Sequence, residues 1–388
     1  MKSQGQIPFI QALRGIAAIA VVIYHTHSLV GVTPDNAISQ WIFSSGPAGV
    51  DLFFMISGFV MALSMQNTSA TLNSSFQFWK NRFFRIWPTY FIITILFCLT
   101  ETIVRKNITP SLVADWELHA WTLTGIVRSM LFFPLNYAAG APFFGGSVLH
   151  VGWSLNYEAY FYFILGCSLM FGRYRWTALF AWFFITLIAP LLFITPWYGI
   201  FDISAYHDYR PGYLNLATSP IVFDFITGLL IGFIYTSRFR VRNLQILYML
   251  ILVSVSATAW YFLSTMTKKF GFPYWSMPIS VTFLLLALLN KEKEIATPAP
   301  LQWLGKISYS LYLIHPLVLA PAYLLTRGTS MGSYTRDFPY SMLVVSISIV
   351  AAWISYELLE IRLSSALKRS ASHIGTILRT KNQDIARD

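Results

Sequence analysis

Residues 11–25 read QALRGIAAIAVVIYH, an apolar run that carries one arginine and, eleven positions later, one histidine. Extended to 9–31, the run is long enough for a membrane span, because a hydrocarbon core of ~30 Å takes about 20 residues in a helix. At about 100° per residue, eleven steps make three turns plus roughly 20°, so Arg14 and His25 share a helix face ~16 Å apart along the axis. An ionisable side chain near mid-bilayer costs about 2.5–3.5 kcal/mol on insertion scales. Two readings stand open. Either Arg14 snorkels to the headgroups and His25 is a hydrogen-bonded interior histidine, or the pair lines one functional stripe.

Similar runs recur outward from this one through all 388 residues, of which 56% are hydrophobic and 11% charged. A soluble domain carries about 25% charged residues. The expected fold class is therefore all-α, a polytopic transmembrane helix bundle of about ten spans, at 9–31, 46–66, 88–104, 150–171, 176–194, 219–236, 243–265, 272–290, 304–326 and 340–363. An even number puts both termini on one side. Of the 27 Lys and Arg residues, 18 fall on that side and 8 on the other, with Arg14 inside the first span. The positive-inside rule then makes both termini cytoplasmic.

The net charge of +11 sits mainly in short loops, so it reports orientation and no nucleic-acid partner is expected. The first span resembles a signal peptide in its single flanking Lys2 and apolar run, but the run is too long and Arg14 and His25 interrupt it, so it reads as a retained helix. Cys98 and Cys167 lie in expected spans without metal-ligand spacing, so neither a disulfide nor a metal follows. The domain expected to end at 363 is followed by a short basic tail, 364–388. The connection 105–149 carries Trp116, Trp121, Phe132, Phe133, Phe143 and Phe144, and reads as lying along or re-entering the membrane.

Three further segments hold polar residues where lipid would exclude them. FQFWKNRFFRIWPTYF, 76–91, reads as an interfacial helix whose span opens at Pro88. Its Arg82 and Arg85 serve either as a positive-inside anchor or as paired forks for phosphate oxygens. HVGWSLNYEAYFYF, 150–163, puts Glu158 about two turns below its outer end, and GVDLFFMISGF, 49–59, puts Asp51 at a similar depth. His25 is expected at that level too, giving either a self-satisfied polar network or an imidazole base oriented by a carboxylate. KISYSLYLIHPLV, 306–318, carries Tyr309, Tyr312 and His315 on a helix that Pro316 loosens, either as a packed aromatic face with one satisfied histidine or as part of a site. Asp224 and Glu357 gain no role from spacing, and Glu360 with Arg362 reads as an inner-surface ion pair.

Taken together, QALRGIAAIAVVIYH, GVDLFFMISGFVM, the Arg82–Arg85 pair, WSLNYE and ISYSLYLIHP resemble the acyltransferase-3 family of integral membrane acyltransferases over residues 7–363. That family includes bacterial O-antigen and exopolysaccharide O-acetyltransferases. The resemblance implies that an acetyl or other short acyl group passes from cytoplasmic acyl-CoA, with acetyl-CoA as donor substrate, to a hydroxyl of an extracytoplasmic or lipid-linked carbohydrate. It also implies an essential His25 and donor binding by the arginines Arg14, Arg82 and Arg85. The stripe from Arg14 to His25 suits the phosphorylated head and long arm of coenzyme A, with His25 as base and Glu158 or Asp51 as its orienter. Trp153, Ser154, Tyr309 and His315 are further candidates, and no metal is expected. Membrane lipids and polysaccharide biosynthesis machinery are the expected surroundings, in the bacterial inner (plasma) membrane. No segment resembles the hydrolase-like domain of longer members, so acceptor capture falls to the membrane domain or to partners. A transporter or flippase of a glycan or lipid-linked precursor, and a non-catalytic assembly or sensing protein, remain the competing classes.

Overall fold

A computed structural model of the chain describes residues 7–30, 45–66, 68–105, 122–135, 143, 146–190, 212–264, 274–326 and 338–370. Among them there is no strand. The helices are α1 (Pro8–Val30), α2 (Ala48–Gln66), α3 (Leu72–Arg105), α4 (Leu123–Met130), α5 (Trp153–Leu169), α6 (Arg175–Phe183), α7 (Gly212–Ala217), α8 (Val222–Thr236), α9 (Leu244–Ser264), α10 (Ser276–Glu292), α11 (Ala299–Lys306), α12 (Ser308–Thr326) and α13 (Phe338–Ser355). Five stretches are long and apolar enough to cross a membrane: Pro8–Thr26, Ala48–Gln66, Leu72–Ile103, Leu244–Ser264 and Pro339–Ser370. On α9, Met249, Leu252, Val253 and Trp260 all point outward. Such a face suits acyl chains, which are as apolar as leucine.

Between lipid-facing helices the hydrophobic effect contributes little, and close backbone approach through small residues takes its place. The chain uses this repeatedly. A Cβ on Gly58 would strike the Phe225 carbonyl, one on Gly228 the Met55 carbonyl, and one on Gly232 the Ala62 side chain, so α2 and α8 run side by side in the same direction. Gly46 lies against Tyr24 and Ala20, and Gly49 against Ala17, which sets α2 antiparallel to α1. At the start of α1, Gly15 approaches the Leu301 carbonyl and Gly305 approaches Gln11, seating α11 there. Ala18 and Val22 cluster with Ile307 and Leu311, so α12 runs parallel to α1.

Several expected elements change shape. No interfacial helix precedes a span at Pro88; α3 is one helix from Leu72 to Arg105 with Pro88 inside it. Proline costs a helix one backbone hydrogen bond, but its fixed φ fits the helix, and neighbouring helices in a bundle re-satisfy the freed carbonyl. The expected span 304–326 is broken at Ile307 into α11 and α12. The break is held by Glu360, whose carboxylate accepts from the Ser310 backbone N–H (3.0 Å) and hydroxyl (2.5 Å), two donors in the first turn of α12. That contact replaces the expected pairing of Glu360 with Arg362. The last helix continues through a π-helical stretch, Tyr356–Leu363, as far as Ser370, so the expected tail begins as helix. Residues 371–388 lie outside the described residues, as do Trp116 and Trp121 of the expected re-entrant connection.

Candidate active site

Helices α1, α2, α3, α5, α12 and the last helix surround a cavity of about 940 Å³. Its lining includes Arg14, Arg82, Arg85, Lys306 and Lys368, together with Glu158, Glu360, Tyr162, Tyr309, Ser154 and Tyr312. The cations gather at the end where α1 begins. Ser154 and Tyr312 lie at the far end, and the Arg14-to-roof axis follows α1.

Arg82 and Arg14 have structural reasons for their places. The Arg82 guanidinium lies between two rings, 5.4 Å from the centre of Phe78 and 5.2 Å from that of Tyr162. Stacking of this kind holds the planar group while its edge N–H donors stay available, an arrangement a lysine cannot reproduce. The Tyr162 phenol donates to the Glu158 carboxylate one turn away on α5. Arg14 has Arg85, Glu360 and Glu158 as charged neighbours, so three guanidinium groups and two carboxylates share this end. Tyr309 anchors the wall by donating to the Ile86 carbonyl at 2.8 Å.

At the other end the Ser154 and Tyr312 hydroxyls are 2.7 Å apart, and both lie within reach of the Val151 carbonyl. This group forms a roof. One turn further along α12, His315 is fully buried, and its Nε2 lies 3.1 Å from Nδ1 of His25. The two imidazoles are stacked with centroids 5.0 Å apart.

The expected carboxylate partners of His25 stand elsewhere. Glu158 belongs to the arginine end of the cavity, on Tyr162, because α5 starts at Trp153 and descends past the roof. Asp51 is fully buried and faces α8, where its carboxyl neighbours that of Asp224. With Gly49 seated against Ala17 and Val21 and α2 running antiparallel, Asp51 falls about two to three turns from His25 along α1. The structure thus joins Arg14, Arg82, Arg85 and Glu158, and separately joins His25 with His315. Trp153 packs on Phe143 and Tyr157 outside the cavity lining.

Tyr162, Glu360, Lys306 and Lys368 are cavity residues that sequence reasoning missed. The i, i+4 spacing of Glu158 and Tyr162 was a usable signal for the first. Nothing local marks the other three.

A helical bundle of apolar helices surrounds a cavity with cations at one end and a roof below paired imidazoles at the other. Residues 7–358 match the Acyl_transf_3 acyltransferase domain, and the chain belongs to that family. The exopolysaccharide production protein ExoZ of Rhizobium meliloti (strain 1021) is 26% identical over 286 residues, covering 72% of this chain and 78% of ExoZ. The O-acetyltransferase OatA of Staphylococcus aureus (strain NCTC 8325 / PS 47) is 23% identical over 380 residues, 93% of this chain and 57% of OatA. The peptidoglycan O-acetyltransferase OatA of Listeria monocytogenes is 23% identical over 374 residues, 92% of this chain and 56% of that protein. The chain therefore spans just over half the length of the OatA proteins. No solved structure matches it.

Proposed function

We propose that this protein is a multi-pass membrane O-acyltransferase, with O-acetyl transfer as its reaction. The donor is cytoplasmic acyl-CoA and the acceptor is a hydroxyl of an extracytoplasmic or lipid-linked carbohydrate. With both termini in the cytoplasm, the orientation that the Lys and Arg count supports, the basic mouth of the cavity opens there. The observation that carries this reading is the cavity itself, which runs from three arginines to a roof one helical turn below His25 and His315.

In this account the phosphates of coenzyme A rest on Arg14, Arg82 and Arg85, with Lys306 and Lys368 at the mouth. Guanidinium forks suit phosphate oxygens, and binding the distant head positions the reacting end. The thioester arm extends to Ser154 and Tyr312. His25 removes the proton from the acceptor hydroxyl as its oxygen bonds to the acyl carbon. The C–S bond then breaks and the thiolate of CoA takes that proton back from the imidazolium, so atoms and charge balance.

The deciding experiment supplies acyl-CoA to the purified protein in proteoliposomes, alongside mass spectrometry of surface glycans from expressing and deletion strains. Thioester consumption with matching loss of glycan acylation in the deletion strain supports the proposal. Glycan movement without thioester consumption refutes it in favour of a transporter.

A further inference from the structure

We infer that His315, together with the Val21 carbonyl, sets the tautomer of His25, so that His25 carries its hydrogen on Nδ1 and offers an unprotonated Nε2 to the acceptor. The catalytic use of that Nε2 rests on the acyl-transfer reading above; the tautomer does not. His315 acts through His25 and is a positioning residue.

The assignment follows from what each atom can do. Nδ1 of His315 lies 3.0 Å from the Leu311 carbonyl oxygen, one turn back along α12. A carbonyl oxygen only accepts, so the hydrogen is on His315 Nδ1. A neutral imidazole has one N–H, which leaves a lone pair on His315 Nε2. That lone pair faces Nδ1 of His25 at 3.1 Å. Two bare nitrogens would repel there, so the hydrogen in this contact belongs to His25 Nδ1. Neutral His25 then keeps its lone pair on Nε2.

The reverse arrangement, with His315 donating from both nitrogens, requires a cationic imidazole at a position with 0% exposure. An uncompensated buried charge costs far more than one hydrogen bond returns. The other groups facing the pair do not supply the missing charge. Tyr24 meets the His25 ring edge-on at 5.3 Å, Tyr312 lies 6.2 Å from the His315 ring, and His150 is the nearby titratable side chain; the Val21 carbonyl, one turn back on α1, also accepts from His25, as Leu311 does from His315, and supports the same Nδ1–H form.

An imidazole therefore does here what a carboxylate does beside many catalytic histidines, holding the ring in one tautomer and orientation. The device has a magnitude. In serine hydrolases, putting the catalytic imidazole in the wrong tautomer costs about 10⁴-fold in turnover. Losing the constraint without imposing the wrong form should cost less, because a fraction of His25 still adopts the productive tautomer.

The test is nitrogen-15 NMR of the full-length, histidine-labelled protein in lipid nanodiscs, with ring signals assigned through His25→Gln and His315→Gln. The expected wild-type result is a neutral His25 protonated on Nδ1. In His315→Leu only the Val21 carbonyl is left to hold that hydrogen, so the Nδ1–H share of His25 should drop and kcat should fall at least about tenfold, with acyl-CoA affinity within about twofold of wild type. In His315→Gln, an amide oxygen can accept from His25 and should restore part of the rate. A wild-type His25 protonated on Nε2, or a tautomer unchanged in His315→Leu, overturns the inference, and the wild-type measurement decides even if His315→Leu does not fold. Should the protein consume no acyl-CoA while His25 is still held as the Nδ1–H form by His315, the tautomer inference stands and the acyl-transfer reading falls.

Discussion

The Glu158 carboxylate accepts a hydrogen bond from the Tyr162 phenol, and the Tyr162 ring lies 5.2 Å from the Arg82 guanidinium. Glu158 is thereby tied to the donor end of the cavity, with Arg14 as a second cationic neighbour. Its effect on chemistry should follow from charge balance among the arginines. Glu158→Gln should leave the shape of the pH–kcat profile unchanged, lower the melting temperature because Arg14 and Arg82 lose a counter-charge, and hold or tighten binding of anionic CoA. A pH–kcat profile shifted by Glu158→Gln would put Glu158 back beside His25.

The stacked position of Arg82 leads to a second expectation. Replacing Arg82 or Arg85 by Gln should weaken acyl-CoA binding, and the loss should shrink as salt is raised, since the wild-type attraction is itself screened. Arg82→Lys should not restore affinity, because a point charge lacks both the planar fork and the stacking on Phe78 and Tyr162. Calorimetric titration of the single variants and the double variant at two ionic strengths checks this; unchanged affinity in all of them removes the clamp.

Packing of α2 on α8 supplies a prediction about stability. The Gly228 Cα hydrogen points at the Met55 backbone carbonyl, which cannot move as a flexible side chain could. Gly228→Val should separate the helices and destabilise the protein by at least the ~1–3 kcal/mol typical of overpacking. Thermal unfolding in detergent measures it. A Gly228→Val protein that melts with wild type would show that the helices are not in contact as described.

These relationships were unequally visible in the sequence. The helical class and the Arg14–His25 face could be read from composition and an eleven-residue spacing, because both are properties of one helix. The level of Glu158 could not. Depth counted from a span end assumes where the helix begins, whereas axial level depends on where α5 starts and how it crosses its neighbours. Asp51 shows the same limit: its partner Asp224 comes from a helix more than a hundred positions away, and only the close approach of Gly58 and Gly228 brings them together. His315 was legible as a candidate but not as the partner of His25, since no local pattern records which helices are neighbours. Pro88 misled for a different reason, because breaking rules drawn from soluble helices are relaxed inside a bundle.

Orientation can be tested separately from chemistry. In a background without Cys98 and Cys167, a cysteine at Ser365, on the cavity lining, should label from the cytoplasm and be protected by acyl-CoA. A cysteine at Ser45, near the His25 end of α1, should label from the opposite side. Labelling of both from one side contradicts transfer across the membrane.

The most direct measurement compares acyl-CoA turnover by wild type and His25→Gln, each shown to be folded and to bind acyl-CoA. General bases contribute about 10²- to 10⁴-fold, so turnover should fall by that factor while donor affinity holds. Retention of more than about a tenth of wild-type turnover by a well-folded His25→Gln protein would contradict the account, because a base removed at such small cost was not the base.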